Sequence, residues 1–482
     1  MTSNQKALVA SGLCGLALAG LLGMFVTDDD APEVEEEEVD RERPEGAPPN
    51  IVVLLIDDAG YADFGMNGSP HFQTPAIDAL AAEGVRFTAA YVTAPICSPS
   101  RAGILSGRYP QRFGHEFNPP SNAGPEAGLP VTVTTLADVL HERGYATAAI
   151  GKWHLGRSGH FNPTRRGFDS FYGFLNGERS YFPMTQRGPQ DLKRGTRHVP
   201  ESFDYLTDEL ASEASDWIGA HAHEPFFLYV AFNAVHMPLD ALREDVMAQA
   251  PELTGERRTL AAMTAAVDRA IGHVLDALER EEIGDETVVF LLNDNGAGKQ
   301  NHGDNAPFHG GKGNLYEGGI RVPYVVRWPG VTDDGTTFDA PVSALDIFPT
   351  ALAAAGAPPR EELDGVDLRP WLDGDRADAP HPLLFWRLGE SWAIRDGSMK
   401  LLSDRGGTPQ LFDLESDPGE QVDLSSQDPE RVATLQRRYD AWNLQLAAPA
   451  FESATEERAG RVDKRRKRKG KAKAADDPDQ SE

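Results

Sequence analysis

Cysteine is nearly absent: Cys14 and Cys97 are the only two in 482 residues, which excludes a disulfide framework. Cys14 lies in an apolar N-terminal stretch, so Cys97 is the lone cysteine of the remaining chain and a candidate nucleophile. Positive charge is scarce as well, with 46 Lys and Arg against 75 Asp and Glu and a formal net charge of −29. Such a balance argues against nucleic acid as a partner, and it repels polyanions at long range. An anionic ligand would need a locally basic pocket. With 40% hydrophobic residues the chain can bury one large core and a smaller satellite.

Residues 7–26 follow Lys6 as a small-apolar stretch. They read as a signal peptide or an N-terminal anchor spanning residues 1–27, and either one exports the rest of the chain. Membrane contact is expected only through that anchor. Residues 28–48 read as an acidic, disordered tether, with 11 acids against 2 arginines between 28 and 46. Residues 451–482 carry a basic run without apolar anchors and are expected to be disordered.

Between these ends the pattern is α/β. Residues 51–56 (IVVLLI) predict a buried parallel strand ending at Asp57 and Asp58, the edge where open α/β sheets bind ligands. Thr74 and Pro75 open a helix closed by Gly84. A strand over 86–92 delivers Cys97. Pro99 suits a first helical turn, so Cys97 is expected at the positive end of a helix, a place that favours an anion. The Thr135 to Asp138 capping box starts the next helix, and strand 145–150 leads to Lys152 and His154. Strand 226–232 precedes His236. Residues 258–281 carry Leu260, Met263, Val267, Ile271, Val274 and Leu278 at helical spacing and belong to the core. Strand 287–292 runs into Asp294 and Asn295, which with Asp57 and Asp58 offer the hard oxygen donors of a Ca²⁺ site. Residues 157–197 are loop-rich and basic, a candidate wall for anionic groups. Four short strands between 383 and 413, then a helix over 429–446, predict a small antiparallel sheet with one covered face. Taken singly, each feature has a structural explanation: a solvated turn, a buried thiol, a flexible Gly-rich loop.

Taken together they resemble a family. Cys97-Ser98-Pro99-Ser100-Arg101 with the following AGILSGRYP resembles the first signature of type I sulfatases, of the alkaline-phosphatase-like superfamily. GYATAAIGKWHLG, from Gly144 to Gly156, resembles the second, and GGKGNLYEGGIRVP around Lys312 resembles a further family segment. The resemblance implies a large mixed, mostly parallel sheet sandwiched by helices in a catalytic domain over 49–360, and a smaller C-terminal antiparallel sheet plus helix over 361–450. It implies sulfate-ester hydrolysis, with Cys97 converted to Cα-formylglycine by a formylglycine-generating or anaerobic sulfatase-maturating enzyme. One Ca²⁺ would be held by Asp57, Asp58, the modified Cys97, Asp294 and Asn295. Arg101, Lys152 and Lys312 would brace the sulfuryl group, His236 would protonate the leaving alcohol, and His154 would act as base. His115, Glu116, Arg165, Arg179 and His309 are candidate contacts to a sulfated polysaccharide or oligosaccharide. Relatives often carry Leu-Arg where Phe308 and His309 stand. Two other readings stay open: a phosphonate monoester or phosphodiester hydrolase of the same superfamily, and a sulfated-glycan-binding pseudoenzyme.

Overall fold

The structure is a computed structural model, and it describes residues 43–44, 46–120, 124–184 and 191–452. The expected N-terminal segment, most of the acidic tether and almost all of the basic tail lie outside the described residues.

In chain order the strands are β1 (Asn50–Ile56), β2 (Val85–Phe87), β3 (Ala90–Tyr91), β4 (Ala146–Lys152), β5 (Ser170–Phe174), β6 (Lys193–Arg194), β7 (Arg197–His198), β8 (Phe226–Ala231), β9 (Thr287–Asn293), β10 (Tyr324–Arg327), β11 (Thr336–Phe338), β12 (Val342–Ser343), β13 (Leu383–Leu388), β14 (Ser391–Asp396), β15 (Met399–Ser403) and β16 (Gln410–Asp413). The helices are α1 (Pro75–Ala82), α2 (Cys97–Ser106), α3 (Leu136–Glu142), α4 (Leu206–His221), α5 (Arg243–Ala248), α6 (Gly255–Arg280), α7 (Glu317–Ile320), α8 (Ile347–Ala354), α9 (Arg369–Leu372) and α10 (Pro429–Asn443).

Ten strands form one sheet in the order β11-β2-β10-β9-β1-β8-β4-β5-β6-β7. Its centre is parallel, β9 with β1, β1 with β8, β8 with β4 and β4 with β5, while β10 and β6 add antiparallel neighbours. Every residue of β1 is buried, as a strand covered on both faces requires. Val52, Leu54 and Ile56 point into a core shared with α1, α4 and α6. Ile51, Val53 and Leu55 point into the opposite core, which takes in α2, α3 and α8. A second, four-stranded antiparallel sheet runs β13-β14-β15-β16. Ile394, Leu401 and Leu411 of that sheet pack on Leu435, Tyr439 and Trp442 of α10. Among the described residues no helix is long and apolar enough to cross a membrane.

Two expectations need correction. The strand expected over 86–92 is broken, because Thr88 still bonds Phe338 of β11 while Ala89 accepts from Val342 and Ala90 pairs with β12. The chain thus leaves the large sheet on its way to α2. The region 157–197 is more than a loop, since β5, β6 and β7 extend the large sheet.

Four neighbouring strands, β9, β1, β8 and β4, end on one edge. Asp294 and Asn295 follow the first, Asp57 and Asp58 the second and His236 the third, while Lys152 closes the fourth and His154 lies just beyond it. Open α/β sheets bind ligands on that edge.

Candidate functional site

Cys97 is the first residue of α2 and is 1% exposed. Its Sγ lies 3.5 Å from Asp57 Oδ1, 3.9 Å from Asp58 Oδ1 and 3.2 Å from Lys312 Nζ. The thiol stands at the N-terminal end of α2, as expected. Burial outweighs Lys152 and Lys312 and pushes its pKa up to about 12, so the unmodified thiol is a poor nucleophile at neutral pH. Asn118 Oδ1 accepts the backbone N–H of Ser98 at 2.9 Å, capping the helix from a distant loop.

Cations and carboxylates alternate around the sulfur. Lys152 Nζ makes a short contact with Asp57 Oδ2. Arg101, wholly buried, donates from Nε to Asp294 Oδ2 at 2.8 Å and from a terminal nitrogen to the Lys152 carbonyl. Lys312 Nζ reaches Asp58 Oδ2 at 2.6 Å. Burial alone would raise the Asp58 pKa, but the ammonium groups of Lys312 and Lys152 hold it well below the usual carboxylate range. Asp294 goes the other way, pushed up to about 6 by burial and by Asp57. Three carboxylates and three cations are thus packed together out of water, each charge paired within the cluster.

The donor set fits a divalent cation. Asp57, Asp58, Cys97 and His236 have ligand atoms within 4.8 Å of one another. Asn295 donates from Nδ2 to Asp58 Oδ1 at 2.7 Å, yet its own Oδ1 is buried without a hydrogen-bond partner. An orphaned buried carbonyl oxygen beside carboxylates suits a hard divalent cation. Asp58 itself adopts a left-handed φ of 62°, and Asn301 Nδ2 holds its carbonyl at 2.6 Å.

The two histidines flank this cluster. His236 Nδ1 is 2.7 Å from the Met237 carbonyl, which makes Nδ1 the protonated nitrogen and leaves Nε2 bare, 3.5 Å from Asp58 Oδ2. Burial and Lys152 pull its pKa down to about 4. The Tyr181 hydroxyl sits 2.6 Å from the Asn233 carbonyl and 2.8 Å from that of His236, fixing this loop. His154 has a φ of 58° and an unpartnered Nδ1. Its ring lies against Gly177, where any Cβ would collide with the imidazole. Ser98 Oγ donates to the His154 carbonyl at 2.6 Å and lies 2.7 Å from His115 Nε2, tying the start of α2 to that loop.

Of the candidate substrate contacts, three are occupied elsewhere. His115 is fully buried and spent on Ser98. Glu116 is buried against Arg387, at 2.6 Å, and accepts the N–H of Gly389. Arg179 pairs with Asp191 at 3.0 Å and Glu201 at 2.8 Å. Arg165 and His309 are exposed, His309 packing on Tyr316, and neither lines the cleft. The basic wall is likewise largely structural: Arg166 is buried on the carbonyls of Leu129 and Val133, and Arg194 pairs with Glu213. A cleft of about 900 Å³ instead opens over Asp58, His236 and Lys312, and its rim includes Glu178, Lys299 and Arg405. Sequence reading missed Arg405 because it arrives from the C-terminal sheet, and Tyr181 because a lone buried tyrosine carries no signal.

The comparisons agree with this geometry. A family model described as Sulfatase matches residues 49–357, and one described as N-sulphoglucosamine sulphohydrolase, C-terminal, matches 309–441. The N-acetylgalactosamine-6-sulfatase of Homo sapiens is 33% identical over 452 residues, covering 81% of this chain and 84% of that protein. The steryl-sulfatase of Homo sapiens is 31% identical, covering 70% and 72%. Among solved structures, Ps i-CgsB in complex with k-i-k-neocarrahexaose is 35% identical with a TM-score of 0.81, covering 86% of this chain and 97% of that one. The phosphonate monoester hydrolase of Agrobacterium radiobacter, 21% identical with a TM-score of 0.59, shares the fold.

Proposed function

The chain belongs to the sulfatase family and is a sulfuric ester hydrolase, and from that premise we propose that it removes sulfate from galactose-type or galactosamine-type units of a sulfated glycan. The observation that carries this reading is the placement of Cys97, between Lys312 and Asp57, under an open cleft large enough for more than one sugar ring. The sugar class is supported by two similarities, to an N-acetylgalactosamine-6-sulfatase and to a structure holding a neocarrahexaose.

The family implies a formylglycine made from Cys97 and a divalent metal, which supply a hydrated nucleophile and charge compensation for the sulfate. Asp57, Asp58, Asp294 and Asn295 would hold the metal, with Ca²⁺ favoured by an all-oxygen set of side chains. Lys152 and Lys312 face the sulfuryl oxygens, and Arg101 keeps Asp294 and the Lys152 backbone in place. His236 takes a proton at its bare Nε2 when the substrate's charge enters and gives it to the leaving oxygen. His154 removes a proton on the nucleophile side. Burial of Cys97 supports a maturation enzyme that acts before the chain folds. The apolar segment at 7–26 supports export.

Sulfate release measured chromatographically across carrageenan, ulvan, fucoidan and glycosaminoglycan fragments tests the substrate class. Galactan or galactosaminoglycan fragments should release sulfate fastest; release confined to fucoidan or ulvan would overturn the sugar assignment. Parallel turnover of an aryl sulfate and an aryl phosphodiester separates sulfatase chemistry from diester hydrolysis.

A further inference from the structure

The cleft carries two cations that the reaction does not use. Lys299 stands in the turn Lys299–Asn301, which Asn301 anchors to the Asp58 carbonyl at 2.6 Å. Gly298, the residue before it, packs beside the Lys312 side chain. Lys299 has no ion-pair partner among the described residues and lines the cleft.

Arg405 reaches the same cleft from the loop between β15 and β16. Its side chain is 84% exposed, with one loose contact to Asp404 at 3.7 Å. Its backbone is fixed even so. Arg405 has a left-handed φ of 48°, which a long side chain rarely adopts without a reason. The Ser391 hydroxyl accepts its N–H at 2.9 Å and bonds Asp404 at 3.1 Å, Gly406 donates to the Glu390 carbonyl at 3.1 Å, and Ser403 Oγ donates to the Gly407 carbonyl at 2.7 Å. An anchored loop in an unfavourable conformation thus presents a guanidinium to the cleft. In a chain of net charge −29, with Glu178 and Asp304 also on the rim, exposed cations here would meet an anion from the ligand.

We propose that Arg405 and Lys299 form a second anion subsite, which binds a sulfate or carboxylate on the substrate beyond the sulfate being removed. The proposal rests on the glycan reading above and narrows it: the preferred substrate carries at least two anionic groups, one at Lys312 and one at the rim. The guanidinium fork suits either oxyanion, and the C-terminal sheet becomes part of substrate selection.

The test is calorimetric binding to the full chain carrying Cys97→Ser, which keeps the cleft while preventing turnover. The ligands are size-matched galacto-oligosaccharides with one sulfate, with two sulfates, and with one sulfate and one uronate, together with polysulfated glucosamine fragments. The doubly anionic ligand should bind about tenfold tighter than the monosulfated one. Arg405→Asn, whose side chain tolerates the left-handed backbone, should bring that ratio close to one, and Lys299→Gln should lower it. Arg405→Lys should keep part of it. Which ligand gains, sulfate or uronate, names the second group. A ratio unchanged by Arg405→Asn and Lys299→Gln overturns the subsite, as does equal binding of all ligands. An Arg405-dependent ratio seen only with glucosamine fragments keeps the subsite and removes the galactose assignment.

Discussion

The ammonium of Lys312 lies 3.2 Å from the sulfur of Cys97, although 215 residues separate them in the chain. Residues 310–319 are packed so that the lysine has little freedom. Its own N–H donates to the Ala297 carbonyl at 3.0 Å, and the next N–H donates to the Pro95 carbonyl at 2.8 Å, just before Cys97. A rigid cation beside the nucleophile stabilises charge on a bound sulfuryl group without reorganising.

Replacing Cys97 by Ser isolates the chemistry of that position. The hydroxyl fits the same buried space, so the variant should fold with an unchanged thermal midpoint. Turnover of an aryl sulfate should fall by several orders of magnitude, because a serine could take up the sulfuryl group but has no second hydroxyl to expel it. Single-turnover and steady-state assays read this directly. Steady-state rates equal to the parent would refute the formylglycine route, and mass spectrometry of the Cys97 peptide should show the aldehyde in matured protein.

Asn295 offers a test of the metal. With the Asn295 Oδ1 orphaned and its amide 2.7 Å from the Asp58 carboxylate, the chelated protein should gain stability when Ca²⁺ is added, on the order of 3 kcal/mol at a hundredfold excess over Kd. Asn295→Ala should need more Ca²⁺ for the same rise in melting temperature. Mg²⁺, which demands a tighter octahedron, should give a smaller rise. No difference between apo and Ca²⁺-treated protein would exclude the site.

Much of the site was legible because strand ends announce themselves. The apolar run of β1 gives way abruptly to Asp57 and Asp58, and β9 gives way to Asp294 and Asn295, so the ends of two apolar runs marked two sides of the cluster, while their reading as a site came from the resemblance. The C-terminal sheet and α10 were equally plain, from short alternating strands and a proline-capped helix. Burial was not legible. His115, Glu116 and Arg179 look like ligand contacts in one dimension, but their partners Ser98, Arg387 and Glu201 are chosen by tertiary packing. The break between β2 and β3 was hidden for the same reason, since a change of sheet leaves the apolar pattern intact.

A buried ion cluster joins the C-terminal sheet to the segment bearing Lys312. Lys400, on β15, is fully buried and lies 2.8 Å from both Glu317 and Glu420. Glu420 also accepts the Glu317 N–H at 2.7 Å. Lys400→Met would leave Glu420 without a cation and Glu317 with only Arg321, at 3.4 Å, and should cost about 3–5 kcal/mol, read from urea denaturation. Adding Glu420→Gln to it should recover part of the loss. A single variant as stable as the parent would show that the cluster contributes nothing net.

The pH dependence of stability should carry the signature of His381. Its Nε2 lies 2.8 and 2.9 Å from the two oxygens of Asp346, which also accept the N–H groups of Ser343 and Val366. Burial disfavours the imidazolium, but the charge and hydrogen bond of Asp346 more than offset it, so the pKa stands above 6.5. The folded state therefore binds more protons than the unfolded state in the window starting at 6.5. Stability must fall as pH rises there. The contribution is complete below that value and lost once the pH passes the folded-state pKa. Melting temperatures measured from about pH 6 to about pH 8.5 should decline more steeply for the parent than for His381→Gln, whose amide keeps a hydrogen bond to Asp346 without titrating. Parallel profiles for the two proteins would show that His381 stays neutral across the window and that Asp346 is held by its backbone donors alone.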